Sequence, residues 1–328
     1  MTAEELHELY INGERNFSGV TLSCVNLQEA ILPDINFSGA NLDGSYFDYA
    51  DLSNINLTNA SLSGTSFNGA NLEGVNLSHF NLKGIEAKDA NLRGANLSNT
   101  SLSVDWENTD LSYADLSSSF WDHTVLTNVN LNHANLSYMQ IYQSTIMKAN
   151  LRGANLYKAF FGDNSQIRES NIIGVDLSSI EIASWEILAR GSLYNDETIV
   201  PGNVSLEYLD AIYVASGANL QHVNLQNVDL SGLDLSEADL SFANLKGANL
   251  SNTVLFQANL KGADLEEANL TCTDLELANL EDANLRNVIF CKTVMPDGII
   301  VSDGELLLNG QVVLEAETEF RGCLEDGV

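Results

Sequence analysis

The chain has 328 residues, with 45 Asp+Glu against 14 Lys+Arg and a formal net charge of −31, yet only 18% of residues are charged and 45% are hydrophobic. That hydrophobic share excludes a disordered polyelectrolyte, and the acid surplus argues against direct binding of nucleic acid or an anionic membrane, whose phosphates require cations. Three prolines beside 23 glycines, with Ala, Asn and Leu over-used, point to an internal repeat.

Residues 1–14 read as an N-terminal cap. Thr2-x-x-Glu5 is a capping box, Leu6, Leu9 and Tyr10 form one apolar stripe, and Gly13 stops the helix. Residues 15–187 carry a large apolar residue every five positions: Phe17, Leu22, Leu27, Leu32, Phe37 and onward to Leu102, with Ala87 the one departure. One residue is missing before Trp106 and one is inserted between Phe161 and Ile167. These slips, near 103–106 and 162–167, are expected to be local corner adjustments or bulges. Residues 188–217 lose the period and are expected to form a surface excursion, in which Leu206, Leu209, Ile212 and Tyr213 have helix-like spacing. The period returns over 218–290, from Leu220 to Phe290. One continuous stack is the expected arrangement, and two separate solenoids the alternative. Residues 291–328 form an acidic tail in which Leu308-Asn309-Gly310-Gln311 signals a hairpin.

A period of five fits neither the 3.6 of a helix nor the 2 of a long strand. Two residues before each centre stands something small, as at Ala40, Ala70, Ala95, Ala248 and Ala263, with Asn or Asp between. Large and small residues then alternate inward as on a short strand, and the remaining Ser, Asn, Asp and Gly supply a corner. Phe17 and Phe37, like Phe47 and Phe67, are twenty apart, and so are Lys246, Glu266 and Arg286, Lys261 and Glu281, and Glu73 and Arg93. Four sides to a coil would stack these rings and place these opposite charges one strand spacing apart, ~4.8 Å. The fold class is therefore all-β.

The A(D/N)LxX pattern, as in Ala248-Asn249-Leu250, resembles the pentapeptide repeat family over most of positions 15 to 290. That resemblance implies a right-handed quadrilateral β-helix solenoid, here with an N-terminal capping helix and a C-terminal tail with a hairpin. The segment from Phe290 to Gly298 and the interruption before Gly217 resemble those of large cyanobacterial members.

No nucleophile elbow, phosphate loop or HExxH motif is present, and the five histidines share no ladder position. Cys24, Cys272, Cys291 and Cys323 are too scattered for a disulfide framework or a C-x-x-C metal site. No enzyme activity, metal or cofactor is expected. The N-terminus shows no cationic segment followed by an apolar one, and the expected location is the cytoplasm.

The expected function is a protein-interaction scaffold or regulator displaying flat β-helix faces to a protein partner, as a monomer or weak dimer. The alternative is an acidic DNA mimic acting on a gyrase-type topoisomerase, as the gyrase-targeting branch of the family implies. Between Lys148 and Arg168 the charge reverses locally, with Lys148, Arg152, Lys158 and Arg168 against Asp163. On the twenty-residue grid Tyr138 and Tyr157 project from one side, Tyr142 from the next and Arg152 from the one before. Tyr138, Tyr142, Lys148, Arg152, Tyr157 and Lys158 are the candidate partner surface, since Tyr and Arg are typical of binding hot spots. The competing reading pairs Lys148 with Glu169 and packs the tyrosines under their neighbours. At Phe120-Trp121 a widened coil with one buried ring is expected, against an outward apolar pair.

Overall fold

Each five-residue segment buries its large and its small residue, and the chain then turns. A side chain of ordinary chirality resists the left-handed conformation such a corner imposes, so glycine recurs two residues after the centre, as at Gly247 with φ +65°. Asn and Asp accept the same conformation more readily than bulkier residues. The computed structural model describes residues 1–182, 190–202, 204–206, 210–301, 307–308 and 311–312. It contains two compact units, Met1–Ile212 and Tyr213–Val328, each winding as a right-handed, four-sided β-helix.

In the first unit the sides pair in parallel with a step of twenty, as in Asn36 with Asn56 and Asn71 with Asn91. Across the missing residue the step is nineteen, Asn91 with Asp110, and across the inserted one it is twenty-one, Asn150 with Asn171. Both slips are absorbed at corners, and the inward residues keep their sides. Around them two sides become true parallel sheets. One takes β1 (Ser101–Leu102), β3 (Phe120–Asp122), β5 (Gln140–Tyr142), β7 (Phe160–Phe161) and β9 (Glu181–Ile182). The other takes β2 (Asp105–Glu107), β4 (Val125–Thr127), β6 (Thr145–Met147) and β8 (Gln166–Arg168). Phe, Val, Thr and Ile replace the usual Asn, Asp and Gly here, and they suit extended backbone.

The interior is a column of centres and alanines. Leu97, Leu116 and Leu136 are fully buried, as are Ala90, Ala95 and Ala114. Phe47 and Phe67 stack with centroids 5.4 Å apart, and Phe17 and Phe37 meet tilted at 6.1 Å. The departure at Ala87 has a partner one coil on: Trp106 is buried on that same side, and its Nε1 donates to the Ile85 carbonyl at 3.0 Å. Trp121 is likewise buried, its indole donating to Ser119 Oγ at 2.9 Å, while Phe120 faces outward.

The N-terminal helix α1 (Ala3–Ile11) has the capping box read from its sequence, with Thr2 accepting from the Glu5 amide and Glu5 accepting from the Thr2 amide. Leu6 and Tyr10 are buried against the first coils, and the Tyr10 hydroxyl donates to the Pro33 carbonyl at 2.9 Å. Leu9 is 43% exposed and does not join them. Residues 190–200 carry no five-residue pattern, yet Leu193 bridges Asn171 and Ile199 bridges Asp176. Main-chain hydrogen bonds propagate the ladder there without the five-residue spacing to mark it. Leu209, from the helix-like spacing, lies outside the described residues.

The second unit is strictly regular. Leu225 donates to the Asn244 carbonyl at 2.8 Å and Leu245 to that of Asp264 at 2.7 Å. Thr253, Thr273 and Thr293 form a buried column whose hydroxyls donate to the carbonyls of Leu230, Leu250 and Leu270. Lys246 and Arg286 flank Glu266 at 3.3 and 2.7 Å, and Lys261 meets Glu281 at 2.8 Å, as twenty residues per coil requires. In the first unit Glu73 and Arg93 do not pair. The Arg93 guanidinium instead lies 4.4 Å from the Tyr113 ring centroid and donates to Ser112 Oγ. After the last coil Thr293–Val294 pairs antiparallel with Ile300–Val301, and Leu307–Leu308 with Gln311–Val312. Asn309-Gly310 and the tail from 313 onward lie outside the described residues.

Outside, the residue before each centre builds ladders of its own. Its Oδ1 accepts the amide two residues on, as in Ser251 to Asn249. An Asn also donates Nδ2 to the equivalent residue one coil earlier: Asn249 to Asp229 at 3.0 Å, Asn71 to Asp51, Asn135 to Asp115. Donation always runs backward, so the first member of a column needs no donor. Asp holds that place in each of these three.

Candidate functional site

The surface is mostly Asn, Ser and Asp, so clustered rings stand out from it. Four sides follow one another around the coils near residue 140, centred on Leu136, Ile141, Ile146 and Leu151. At the corner ending the first of these, Tyr138 is 50% exposed, and Tyr157 of the next coil is 47% exposed. Their rings meet edge-on with centroids 5.6 Å apart. Lys158 Nζ lies 5.4 Å from the Tyr157 centroid and 6.0 Å from that of Tyr138, within reach of a cation–π attraction. Above them the side ladder is interrupted. No bridge joins Asn155 to Asp176, and the Lys158 amide donates instead to Ser179 Oγ at 3.2 Å.

The next side carries a second cluster. Phe120, Tyr142 and Phe160 form a continuous outward row, with centroids 5.6 Å and then 5.5 Å apart. Phe120 and Phe160 occupy the position before the centre, where Asn or Asp is usual, and Tyr142 the position after it. Gly162 completes the arrangement, since a Cβ there would fall 2.6 Å from Tyr142 Cδ1. The tyrosine ring therefore lies flat on backbone that only glycine leaves clear.

The six residues singled out from the sequence fall into separate places. Tyr138, Tyr157 and Lys158 come together, and Tyr142 lies around the corner with the two phenylalanines. Arg152 sits on the side centred on Leu151, and Lys148 at the corner before it, so neither joins the rings. Glu169 makes no ion pair with Lys148 among the described residues. Phe120 and Phe160 were missing from the set. Their signal was in the sequence, as aromatic residues at a position that otherwise builds polar ladders.

Tyr138 and Lys158 also sit at left-handed corners, with φ 58° and 54°. A residue with a Cβ pays ~1–2 kcal/mol for that conformation, which glycine avoids.

A family model for pentapeptide repeats matches the chain in eight copies, among them residues 21–59, 35–74, 70–103, 109–146, 216–252, 248–287 and 258–295. These matches cover more than half of the chain. The chain belongs to the pentapeptide repeat family. Among solved pentapeptide repeat structures it is similar to HetL, a protein involved in heterocyst differentiation regulation from the cyanobacterium Nostoc sp. strain PCC 7120. Identity is 22% over 92% of this chain and 100% of HetL, with a TM-score of 0.24. It is also similar to alr5209 from Nostoc PCC 7120, at 23% identity over 65% of this chain and 95% of that one, TM-score 0.12. Full-length QnrB1, a plasmid-mediated fluoroquinolone resistance protein, matches at 14% identity over 77% of this chain and 90% of its own, TM-score 0.14. No curated protein matches the chain. Among the described residues no helix of this pentapeptide repeat protein is long and apolar enough to cross a membrane.

Proposed function

We propose that this pentapeptide repeat protein is a non-catalytic interaction scaffold that offers a protein partner the aromatic corner formed by Tyr138, Tyr157 and Lys158 with Phe120, Tyr142 and Phe160. The observation that carries the reading is the row of three outward rings on a flat parallel sheet, two of them, Phe120 and Phe160, at positions that elsewhere hold polar ladder residues. Rigid rings with few rotatable bonds lose little entropy on docking, and aromatic residues are enriched at interface cores. In the second unit the ion pairs at Lys246, Lys261 and Arg286 break up the acids, which favours the aromatic side over imitation of a polyanion.

The test is proximity labelling in the native cell, followed by reconstitution of the captured protein with purified chain. A variant combining Phe120→Ser, Tyr142→Ser and Tyr157→Ser should keep its circular dichroism spectrum and lose at least about tenfold in affinity, ~1.4 kcal/mol. An unchanged affinity in the folded variant would refute this surface.

A further inference from the structure

Along the regular ladder each centre, and the residue two after it, donates its amide to a carbonyl one coil on. Leu42 donates to Ser61 at 2.9 Å and Gly44 to Ser63 at 2.8 Å. One coil later these bonds stop. The amides of Leu57, Asn59, Leu62 and Gly64 do not reach the carbonyls of residues 76, 78, 81 and 83, nor do those of Asn76 and Asn81 reach residues 55 and 60. No bridge joins Asn56 to Asn76 or Ser61 to Asn81, although bridges flank both pairs in the coils on either side. On the other two sides the same coils stay closed, with Phe67 donating to Glu86 and Leu72 to Asn91, both at 2.8 Å. The two coils thus part on two adjacent sides, around a cleft of about 670 Å³.

Phe80 explains the opening. It stands two residues before Leu82, at the inward position reserved for a small side chain, and is the one aromatic residue at any such position among the described coils. It is only part-buried, and Ala60 beneath it is part-exposed although the equivalent Ala40 is 1% exposed. A side chain too large for its slot forces the coils apart, since a close-packed interior cannot stretch to hold it.

The result is two facing strand edges with their main-chain groups unpaired, in the middle of a solenoid. Natural proteins cover such edges, because each invites another strand. The lining is Thr, Ser, Asn, His79 and Lys83 around Phe80 and Leu62, with no carboxylate, in a chain of net charge −31. A cleft of this volume lies in the range of small-ligand sites. Its recognition groups are the main-chain amides of Leu57, Asn59, Leu62 and Gly64 on one wall and the carbonyls of residues 76, 78, 81 and 83, with the Asn76 and Asn81 amides, on the other, groups that an extended peptide can satisfy by strand addition.

We propose that the cleft between residues 57–64 and 76–83 binds an extended peptide of about ten residues, which inserts parallel to the two coils, rounds the corner and pairs with both edges. The site is separate from the aromatic corner, and either stands if the other fails. The probe is a fluorescein-labelled peptide with the sequence of residues 258–267, Ala258 to Glu267, which already fills two adjacent sides of a coil in the second unit.

Anisotropy should show saturable binding to the whole protein, and hydrogen exchange at Leu57, Asn59, Leu62 and Gly64 should slow on addition of the peptide. Methylating alternate peptide nitrogens removes its donors without touching the protein, and should weaken binding at least about tenfold. Phe80→Ala should close the coils, protect the same four amides in the free protein and abolish binding. Absence of saturable binding would overturn the proposal. So would equal affinity of the methylated peptide, or retention of binding by a folded Phe80→Ala variant.

Discussion

The backward direction of the asparagine ladders makes two opposite exchanges unequal. In the column Asp229–Asn249–Asn269, Asn249 donates to Asp229 at 3.0 Å and receives from Asn269 at 3.4 Å. Asn249→Asp removes the donation, worth ~1 kcal/mol and more when the acceptor is charged. It also sets two carboxylates one strand spacing apart, ~4.8 Å, which adds roughly 1 kcal/mol at water-like screening. The expected loss is about 2 kcal/mol. Asp229→Asn keeps the oxygen that accepts from Asn249 and from the Ser231 amide, and should cost less than Asn249→Asp. Urea denaturation of both variants at low and high salt measures the difference. The repulsive part of the Asn249→Asp penalty should shrink in high salt. Equal stabilities for the two variants would show that the columns have no direction.

Two further outcomes follow from the second unit. Arg286, hydrogen-bonded to Glu266, holds that carboxyl below the usual carboxylate range, and the bond from Lys246 adds to this. With the folded value depressed, the stabilisation is present above the unfolded pKa and lost as pH falls through the folded one. An NMR titration should place the Glu266 midpoint below the usual carboxylate range, and Arg286→Gln should raise it; an unmoved midpoint would dismiss the pairing. Leu245→Ala, at a fully buried centre, should cost ~2–5 kcal/mol by denaturant unfolding, and a neutral result would mean that this residue does not face the axis.

Much of this fold is legible in the sequence because its burial pattern is so short. A leucine every fifth residue with alanine two before it points to a chain wrapping a narrow axis, the charges at 246, 266 and 286 support four sides to a coil, and the family resemblance implies the right-handed square helix. The misreadings share a cause, which is that side chains choose among neighbours a linear pattern does not rank. Arg93 prefers the Tyr113 ring to Glu73, and Leu9 turns outward while Tyr10 reaches Pro33. Residues 188–217 read as a surface excursion in the sequence because the main-chain bonding that carries the ladder through Leu193 and Ile199 leaves no mark on composition. The aromatic corner was half visible. The grid brings in Tyr138 and Tyr157 and the charge reversal Lys158, but residue type and charge equally bring in Arg152 and Lys148, which stand on another side of the coil.

The ladder direction also marks a level of the first unit that is weakened on two of its sides. On one side the column Asp51–Asn71–Asn91 ends, and Asp110–Asn130–Asn150 begins on the coil above. An aspartate has nothing to donate to the asparagine beneath it, so only main-chain bonds cross that level of the column. The side centred on Leu136 starts afresh at Asp115, five residues later in the same coil. Stability in a stacked array is a sum of nearest-neighbour terms, and the weakest term sets where the array breaks. Drawn out by a mechanical load, the first unit should part first between residues 57–64 and 76–83, where two of the four sides lack main-chain bonds, and the level beneath Asp110 and Asp115 should yield next.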